Sequence, residues 1–413
     1  MRVLVVGAGG RCHAILDALK KSKHNLELYC APGNAGIASI AHIVDIKETN
    51  VEALKGFALQ NKIDLTVVGP EIALAAGIVN EFNKAGLKIF GPTKEAAQIE
   101  TSKASAKALM KKYHIPTAGY EVFSDYNQAI DYVRGHTLPI VLKYDGLAAG
   151  KGVVIATRLE EAEATLKDML IDDKFGSSSV VIEDYLEGPE FSFMCFVSGA
   201  DVYPLEVSQD HKRAYNNDLG PNTGGMGAYS GVPIISDSDK EYALKKIMEP
   251  TALALIKEGC PFKGVLYGGL MKTKDGIKVI EFNARFGDPE TEVVLPKLKN
   301  DLFDVFCDII DENKVNLAFD PMYYLGVVLA SKGYPGSYEK GYLIEGLEDV
   351  DGIVYHMGTK LEAGKYYTNG GRVLIVVAKG NTLLEAQQNA NREASKIKSS
   401  NLFYRTDIGH RSL

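Results

Sequence analysis

The stretch Glu281-Phe282-Asn283-Ala284-Arg285-Phe286-Gly287-Asp288-Pro289-Glu290 collects polar side chains at the end of a strand predicted over residues 278–282. Glu281 and Asn283 are two residues apart, so their side chains lie on one face of the strand, and Arg285 continues that alternation. A carboxylate and an amide oxygen are hard ligands of the kind that Mg²⁺ prefers, and an arginine offers a planar fork to an anion. The stretch therefore predicts a metal and anion site, against the simpler alternative of a salt-bridged strand end.

A glycine-rich loop, Asp145-Gly146-Leu147-Ala148-Ala149-Gly150-Lys151-Gly152, joins strands predicted over 140–143 and 152–156. Its glycines and alanines leave little to pack, which predicts a mobile loop with accessible backbone N–H groups. Lys143 and Lys151 add positive charge on each side, so the loop could close over a polyphosphate. The P-loop pattern is absent, because that pattern needs GxxxxGK[ST] leading into a helix. A flexible surface hairpin is the alternative.

Three further polar segments are candidates for ligand contact. Residues 180–190 form a strand that runs into an acidic bend, which could meet an adenine edge and ribose hydroxyls or could simply be solvated. Residues 220–227 contain four glycines, which suits close backbone approach to a small ligand. The basic residues within 208–213 could hold phosphate, although a solvated charge run is the usual explanation of such a triplet.

Strands and helices alternate through the first hundred residues, which predicts a parallel sheet with crossover helices. The turn Gly7-Ala8-Gly9-Gly10 lies between a strand at 3–6 and a helix at 13–21. Backbone N–H groups at such a helix start favour a phosphate, whereas the alternative is a turn that only packs helix on strand. The dinucleotide fingerprint fails because position 12 is Cys12. That failure argues against a nicotinamide dehydrogenase.

The remaining elements follow from hydrophobic periodicity. Single helices are predicted over 75–85 and over 101–112, the second with Thr101 as its N-cap. One helix, at 159–170, is predicted among the short strands of 120–190. Helices near 238–258, 290–312 and 382–398 complete the prediction.

Composition limits the class of protein. The chain has 413 residues, enough for two to four domains. Its 46 basic and 53 acidic residues give a net charge of −7, which argues against nucleic-acid binding through a generally basic surface. Five cysteines without a CxxC pair predict a reducing compartment and no disulfide framework. The sequence shows no signal peptide and no apolar run of membrane-spanning length, so a cytoplasmic protein without membrane partners is expected.

The polar and glycine-rich motifs described above resemble those of the phosphoribosylamine–glycine ligases, which are ATP-grasp enzymes of purine biosynthesis. Five further stretches share the resemblance: 9–11, 31–36, 68–71, 368–372 and 405–409. The resemblance implies an α/β (α+β overall) ATP-grasp fold with an N-terminal parallel-sheet domain and a C-terminal β-rich domain. The implied domains are 1–101, a central domain of 102–118 with 191–320, a small lid of 119–190, and 321–413.

The implied reaction joins glycine to 5-phosphoribosylamine with ATP and Mg²⁺ or Mn²⁺, by way of glycyl phosphate. The expected products are glycinamide ribonucleotide, ADP and phosphate, from a monomeric or dimeric enzyme. Two alternatives remain at this stage besides the dehydrogenase. One is an ATP-grasp ligase that carboxylates or formylates a purine intermediate, and the other is a nucleotide-binding module without catalytic activity.

The resemblance also implies roles for individual residues. Those implied for ATP are Lys103, Lys143, Gly146, Gly150, Lys151, Gly152, Glu183, Asp184, Tyr185, Leu186 and Glu190. Those implied for glycine and phosphoribosylamine are Gly9, Gly10, Pro32, Gly33, Asn34, Lys212, Asn222, Thr223, Gly224, Gly225 and Asp288. The catalytic set is Arg285, Lys143 and Asp210, and the metal ligands are Glu281 and Asn283.

Two positions depart from the family pattern. Cys12 stands where the family usually has a glutamate, which places an oxidisable thiol at a helix N-terminus. Tyr144 stands where a small residue is usual, beside Lys143, and is expected to change how that strand packs.

Overall fold

The computed structural model describes residues 1–147, 152–172, 176 and 179–413. The first hundred residues form a parallel sheet of five strands in the order β3-β2-β1-β4-β5. Its elements are β1 (Arg2–Gly7), α1 (Gly10–Lys20), β2 (Glu27–Pro32), β3 (His42–Ile43), α2 (Val51–Gln60), β4 (Leu65–Val68), α3 (Glu71–Ala75), α4 (Ile78–Lys84), β5 (Ile89–Phe90) and α5 (Gln98–Thr101). The chain leaves β1 at the point where the strand order reverses, which is where open α/β sheets bind ligands. The fold therefore puts the turn Gly7–Gly10 at such a switch point.

Two helix predictions in this region are wrong in detail. The single helix predicted over 75–85 is two helices, α3 and α4, separated at Gly77, which has φ +82°. The helix predicted over 101–112 is α6 (Lys103–Lys112), and its N-cap is Ser102, whose hydroxyl accepts from the Ser105 N–H. Thr101 instead ends α5. Apolar spacing located these helices, but the local hydrogen bonds decided where each one starts.

A second, smaller antiparallel sheet has the order β6-β9-β7-β8. Its elements are β6 (Tyr120–Phe123), α7 (Tyr126–Arg134), β7 (Ile140–Tyr144), β8 (Val153–Ala156), α8 (Leu159–Leu170) and β9 (Val180–Asp184). The sequence predicted α8 with its observed bounds and missed α7. Both helices pack on one face of the sheet around Leu142, Tyr144 and Ile182, and the opposite face carries Lys143 and Glu183.

The rest of the chain is dominated by an antiparallel sheet of ten strands. Eight of them follow the path β17-β16-β10-β12-β15-β18-β23-β20, while β11 pairs with β10 and β24 pairs with β18. Up to residue 310 the elements are β10 (Glu190–Ser198), β11 (Asp201–Pro204), β12 (Ser208–Asp210), β13 (Arg213–Tyr215), β14 (Leu219–Asn222), β15 (Gly227–Ser230), α9 (Asp237–Ala243), α10 (Glu249–Lys257), β16 (Lys263–Thr273), β17 (Gly276–Asn283), α11 (Thr291–Val294) and α12 (Leu302–Ile310). A π-helical turn, Leu244–Met248, joins α9 to α10. The helix predicted near 290–312 is thus two helices, and β13 with β14 forms a separate hairpin inside the polar loop.

The C-terminal elements are β18 (Tyr323–Ser331), β19 (Leu343–Ile344), β20 (Ile353–His356), β21 (Thr359–Glu362), β22 (Lys365–Thr368), β23 (Arg372–Gly380), α13 (Leu383–Ala394) and β24 (Leu402–Phe403). Strand β18 pairs with β15, so the large sheet runs without interruption across the division predicted at residue 320. The four-part division of the chain remains a prediction. Across the described residues, every helix is too short or too polar to cross a lipid bilayer.

Candidate active site

Cationic side chains from several elements surround Glu281, which is near the end of β17. Lys103 begins α6, Lys143 is on β7, and Lys212 follows β12. Burial alone would raise the pKa of Glu281, but the charges of Lys212, Lys143 and Lys103 outweigh burial and lower the pKa. The predicted metal ligand is therefore an ionised carboxylate with several lysines close to it, and those lysines suit a site for anionic ligands.

Lys143 is held firmly on the inner face of the small sheet. Its ammonium donates to the Ile280 carbonyl at 2.8 Å and forms an ion pair with Glu183 Oε1 at 2.9 Å. The other carboxylate oxygen of Glu183 lies 2.9 Å from the ammonium of Lys107. Glu183, expected at the ATP site, thus contacts two lysines, and sequence reasoning gave Lys107 no role.

The start of the glycine-rich loop is tied to α6. Lys103 donates to the Gly146 carbonyl at 2.8 Å, and Asp145 accepts from the Ser102 hydroxyl at 3.2 Å and the Ala104 N–H at 3.1 Å. Burial lowers the pKa of Lys103, and Glu281 opposes that shift. Gly152 follows the loop and its carbonyl accepts from the Tyr144 N–H at 2.8 Å. Gly150 and Lys151, both expected at the ATP phosphates, lie outside the described residues.

The segment expected to hold adenine leaves β9 as an exposed bend. The Asp184 N–H donates to the Gly119 carbonyl at 2.9 Å, and Tyr185 and Leu186 follow, with the Tyr185 side chain exposed. Glu190, expected at the ribose, begins β10. Its carboxylate lies 3.6 Å from the ammonium of Lys212, so the structure pairs two residues that were expected to serve different substrates.

Arg285 is anchored by two carboxylates from the N-terminal region. Its guanidinium lies 2.9 Å from Glu100 Oε1 and 3.2 Å from Glu71 Oε2, and it donates to Asn283 Oδ1 at 3.3 Å. Arg11 reaches the same oxygen of Glu71 at 3.3 Å. Burial alone would raise the pKa of Glu71, but Arg285 and Arg11 lower it to about 2.

Sequence reasoning assigned no role to Arg11, Glu71 or Glu100. Arg11 and Glu71 do belong to the short glycine-containing motifs that carried the resemblance, and that was the available signal. The sequence around Glu100 carried no such signal, because the contact that Glu100 makes is with a strand that is distant in sequence. Glu100 accepts from the Ala284 N–H at 2.7 Å and so fixes the chain just after β17.

A narrow polar cavity lies between β10, β12, β16 and β17. Its polar lining includes Glu190, Ser192, Asp210, Lys212, Tyr267 and Glu281. Burial raises the pKa of Asp210 to about 7 although Lys212 opposes the shift. In return Asp210 raises the pKa of Lys212 well above its usual value. The Asp210 carboxylate and the Lys212 ammonium thus favour each other's charged form beside the cavity.

The glycine-rich segment beside this cavity is braced by Thr223. Its hydroxyl donates to the Lys212 carbonyl at 2.7 Å and accepts from the Gly225 N–H at 3.0 Å. The Gly224 N–H donates to the Tyr334 hydroxyl at 2.9 Å. Asn222 ends β14 and is exposed. The segment therefore offers a fixed backbone surface together with the free side chain of Asn222.

Asp288 and Arg372 form an ion pair at 2.9 Å beside the turn after β1. The same arginine donates to the Gly224 carbonyl at 3.0 Å and the Asp288 carbonyl at 3.2 Å. A Cβ atom on Gly9 would lie 3.3 Å from Asp288 Oδ2, and one on Gly10 would lie 2.4 Å from Glu292 Oε1. Close packing thus explains why these two positions have no side chain. Sequence reasoning quoted Arg372 in a motif but assigned it no role.

The turn containing Pro32 and Gly33 is fixed by Asn34. Its amide nitrogen donates to the Ala8 carbonyl at 2.7 Å and the His356 carbonyl at 2.8 Å. Its amide oxygen accepts from the Gly36 N–H and the Ile37 N–H. The Asn34 side chain is thus used within the protein, and what this turn offers a ligand is backbone.

The expectation of an oxidisable thiol at Cys12 is wrong. The side chain is 1% exposed and packs against Gly7 and Gly69, and burial raises its pKa to about 12. Desolvation therefore outweighs the helix N-terminus, which by itself would lower a thiol pKa. Tyr144 is buried in the core of the small sheet, on the face opposite Lys143. The large side chain thus fills that core instead of entering the cationic site.

Three profiles of one family match the chain in order. They describe phosphoribosylglycinamide synthetase as an N domain over residues 1–100, an ATP-grasp (A) domain over 101–291 and a C domain over 324–411. A phosphoribosylamine–glycine ligase from Halalkalibacterium halodurans is 54% identical, with 100% of this chain and 97% of that protein covered. One from Listeria monocytogenes is 50% identical, with 99% of each covered.

Solved structures agree with these matches. A crystal structure of phosphoribosylamine–glycine ligase from Thermotoga maritima has a TM-score of 0.88 at 33% identity, with 99% of this chain and 100% of that chain covered. A biotin carboxylase from Campylobacter jejuni has a TM-score of 0.76 at 13% identity, covering 98% and 93%, which shows a shared fold only. The expected ATP-grasp fold is thereby confirmed, and this chain belongs to the phosphoribosylglycinamide synthetase family.

Proposed function

We propose that this chain uses ATP to join glycine to 5-phosphoribosylamine, giving glycinamide ribonucleotide, ADP and phosphate. The supporting observation is the set of cationic side chains around Glu281, near the end of β17. Full-length relatives that are named for this ligation support the choice of substrates. For the carboxylating alternative, a neighbour such as biotin carboxylase shares the fold at only 13% identity, so that alternative is less well supported than the ligation of glycine.

In the first step a glycine carboxylate oxygen attacks the γ-phosphorus of ATP. A new O–P bond forms, the bond to the bridging β–γ oxygen breaks, and the products are glycyl phosphate and ADP. Two anions must approach each other, so the protein needs positioning and positive charge more than a nucleophile of its own. Lys103, Lys143 and Lys212 supply that charge, and Asp210 with the 222–225 backbone seats glycine.

In the second step the amine of phosphoribosylamine attacks the carbonyl carbon of glycyl phosphate. A C–N bond forms, the C–O bond to phosphate breaks, and the amine gives up one N–H proton. Phosphate leaves with that proton and with one oxygen that came from glycine. Arg285 steadies the acyl phosphate in this proposal, which the ion pairs that fix its orientation, with Glu71 and Glu100, support. An arginine held in this way can stabilise negative charge on the acyl phosphate without reorganising during the reaction.

The donor atoms fit a divalent cation. Glu281 supplies an ionised carboxylate and Asn283 an amide oxygen on the same face of β17, and both are hard donors. The neighbouring lysines repel a cation, so a cation binds favourably at this site only together with a polyphosphate. Bound Mg²⁺ or Mn²⁺ would neutralise charge on the phosphates, while the lysines hold the phosphate oxygens in place.

The phosphoribosyl group is assigned to the surface made by Gly9, Gly10, the Pro32–Gly33 turn and Asp288. The free backbone groups at the start of α1 suit a phosphate, and Asp288 can accept from ribose hydroxyls. Arg372 holds Asp288 in place at 2.9 Å. The cytoplasmic location and the monomeric or dimeric state expected from the sequence stay predictions.

The direct test mixes the chain with ATP, Mg²⁺, glycine and freshly made phosphoribosylamine. We expect ADP and phosphate in equal amounts, with turnover requiring both co-substrates. AMP and pyrophosphate as products would contradict the acyl-phosphate route. Turnover that depends on bicarbonate or formate in place of glycine would support the alternative ligases.

A further inference from the structure

A buried chain of polar contacts joins the small sheet to β17, and Lys107 is at its centre. The Lys107 ammonium donates to the Thr117 hydroxyl at 2.8 Å, and that hydroxyl donates to the Val279 carbonyl at 2.7 Å. On its other side the same ammonium lies 2.9 Å from the Glu183 carboxylate. Lys107 therefore contacts the sheet that carries Lys143 directly, and it reaches the strand that carries the metal-binding candidates through Thr117.

The chain of contacts closes on the same strand. Glu183 Oε1 lies 2.9 Å from the Lys143 ammonium, which donates to the Ile280 carbonyl at 2.8 Å. Val279 and Ile280 directly precede Glu281. The position of Lys143 is thus set from two directions, by β17 and by a carboxylate that Lys107 holds.

Charge makes this arrangement asymmetric. The side chains of Lys107, Glu183 and Lys143 are each only 3–4% exposed, and together they carry two positive charges and one negative charge. Buried charges are costly unless they are paired. Because one carboxylate is shared by two ammonium groups, Lys143 keeps part of its positive charge unneutralised. The unneutralised part of the Lys143 charge is available to attract an ATP phosphate.

We propose that Lys107 is a positioning residue for ATP. It holds the Glu183 carboxylate and takes up part of its negative charge, so that Lys143 stays oriented along β17 and attracts polyphosphate. Without Lys107 the whole charge of Glu183 would fall on Lys143. This inference rests on the proposed use of ATP and adds a residue that does not touch the nucleotide.

The test compares Lys107→Met with Lys111→Met in the otherwise intact chain. Methionine keeps most of the unbranched apolar part of the side chain and removes the ammonium group. Lys111 is the matched control, because it lies one turn further along α6 and its ammonium is 5.8 Å from the Tyr120 ring, against 5.7 Å for Lys107, yet its side chain is exposed. Binding of Mg²⁺ with a non-hydrolysable ATP analogue is measured by calorimetry, and KM is measured for ATP and for glycine.

For Lys107→Met we expect the affinity for the analogue to fall about tenfold and the KM for ATP to rise about tenfold. The KM for glycine should stay within about twofold of the parent value. Lys111→Met should bind like the parent. If the role of Lys107 were purely structural, the substitution Lys107→Met would lower Tm and leave the nucleotide affinity unchanged. Folded Lys107→Met with parental nucleotide affinity would therefore overturn the proposal.

Thr117 provides a second variant in case Lys107→Met does not fold. Thr117→Val keeps the shape of the side chain and removes the hydroxyl that receives the Lys107 hydrogen bond, whereas Thr117→Ser keeps the hydroxyl. We expect nucleotide affinity to fall about threefold in the valine variant and to stay parental in the serine variant. Equal affinities in both would reject the proposal. A parent chain that binds the analogue without ligating glycine would reject the proposed function alone.

Discussion

Arg285 Nε lies 3.2 Å from Oε2 of Glu71, an oxygen that Arg11 also reaches. Arg285 follows β17 and Glu71 begins α3, so this contact fastens the strand that bears the metal-binding candidates to the N-terminal sheet. A shared carboxylate between two guanidinium groups is favourable only while the carboxylate is ionised. The contact therefore has a consequence for stability in acid.

The first prediction concerns stability in acid and follows from the pKa of Glu71, which is lowered to about 2. A carboxyl group whose pKa is lower in the folded than in the unfolded state stabilises the fold above the unfolded pKa, and that stabilisation is lost as pH falls toward the folded pKa. The free energy of unfolding of the parent should exceed that of Glu71→Gln by up to about 3 kcal/mol at pH 7. The difference should shrink between about pH 4.5 and pH 2.

Denaturant unfolding followed at several pH values from 7 down to 3 measures this difference. Glu52→Gln is a suitable control, because Glu52 is an exposed residue whose ion pair with Lys55 lies on the surface of α2. A difference between parent and Glu71→Gln that stays constant with pH would contradict the role given to the Glu71 charge.

The second prediction concerns the metal. Glu281→Gln keeps the shape of the side chain and removes its charge, so kcat should fall about 100-fold and more Mg²⁺ should be needed for half-maximal rate. Asp275→Asn removes a carboxylate from the exposed turn of the same hairpin and should leave both values near those of the parent. Rates are measured across a titration of Mg²⁺. Parental dependence on Mg²⁺ in Glu281→Gln would remove Glu281 from the ligand set.

The third prediction concerns Arg372 and the phosphoribosyl group. Nη1 of Arg372 contacts Asp288 and the Gly224 carbonyl together. A lysine side chain is shorter than an arginine side chain, so its ammonium would fall short of both partners. Arg372→Lys should therefore raise the KM for phosphoribosylamine about tenfold while the KM for ATP stays parental. Arg392→Lys, at an exposed site on α13, is the control. Equal increases in both KM values would indicate a general loss of structure.

Much of the fold was predictable because it follows local pattern. Helix α8 had its predicted bounds, since Ala162, Leu166 and Met169 mark one buried face at helical spacing. Helix α7 was missed although Asp125 caps it, with its carboxylate accepting from the Gln128 N–H. Its buried residues Ala129, Ile130 and Val133 follow helical spacing, so the sequence did carry the signal for this helix, in the apolar pattern as well as in the cap.

The site was predictable where a motif carried the chemistry and was not where partners came from distant segments. Glu281, Asn283 and Arg285 do share one side of the strand end, as their spacing predicted. Glu100 and Lys107 could not be found in this way, because each acts through a residue from another part of the chain. Burial likewise decided that the Cys12 thiol stays protonated, and the local sequence pattern does not show whether a single thiol is buried.

The central claim is that a glycine carboxylate oxygen attacks the γ-phosphorus of ATP. The most direct measurement supplies glycine labelled with ¹⁸O in both carboxylate oxygens, together with ATP, Mg²⁺ and phosphoribosylamine, and analyses the released phosphate by mass spectrometry. The account predicts one ¹⁸O atom in each phosphate released and one retained in the glycinamide product. Phosphate without ¹⁸O during productive ligation would contradict it.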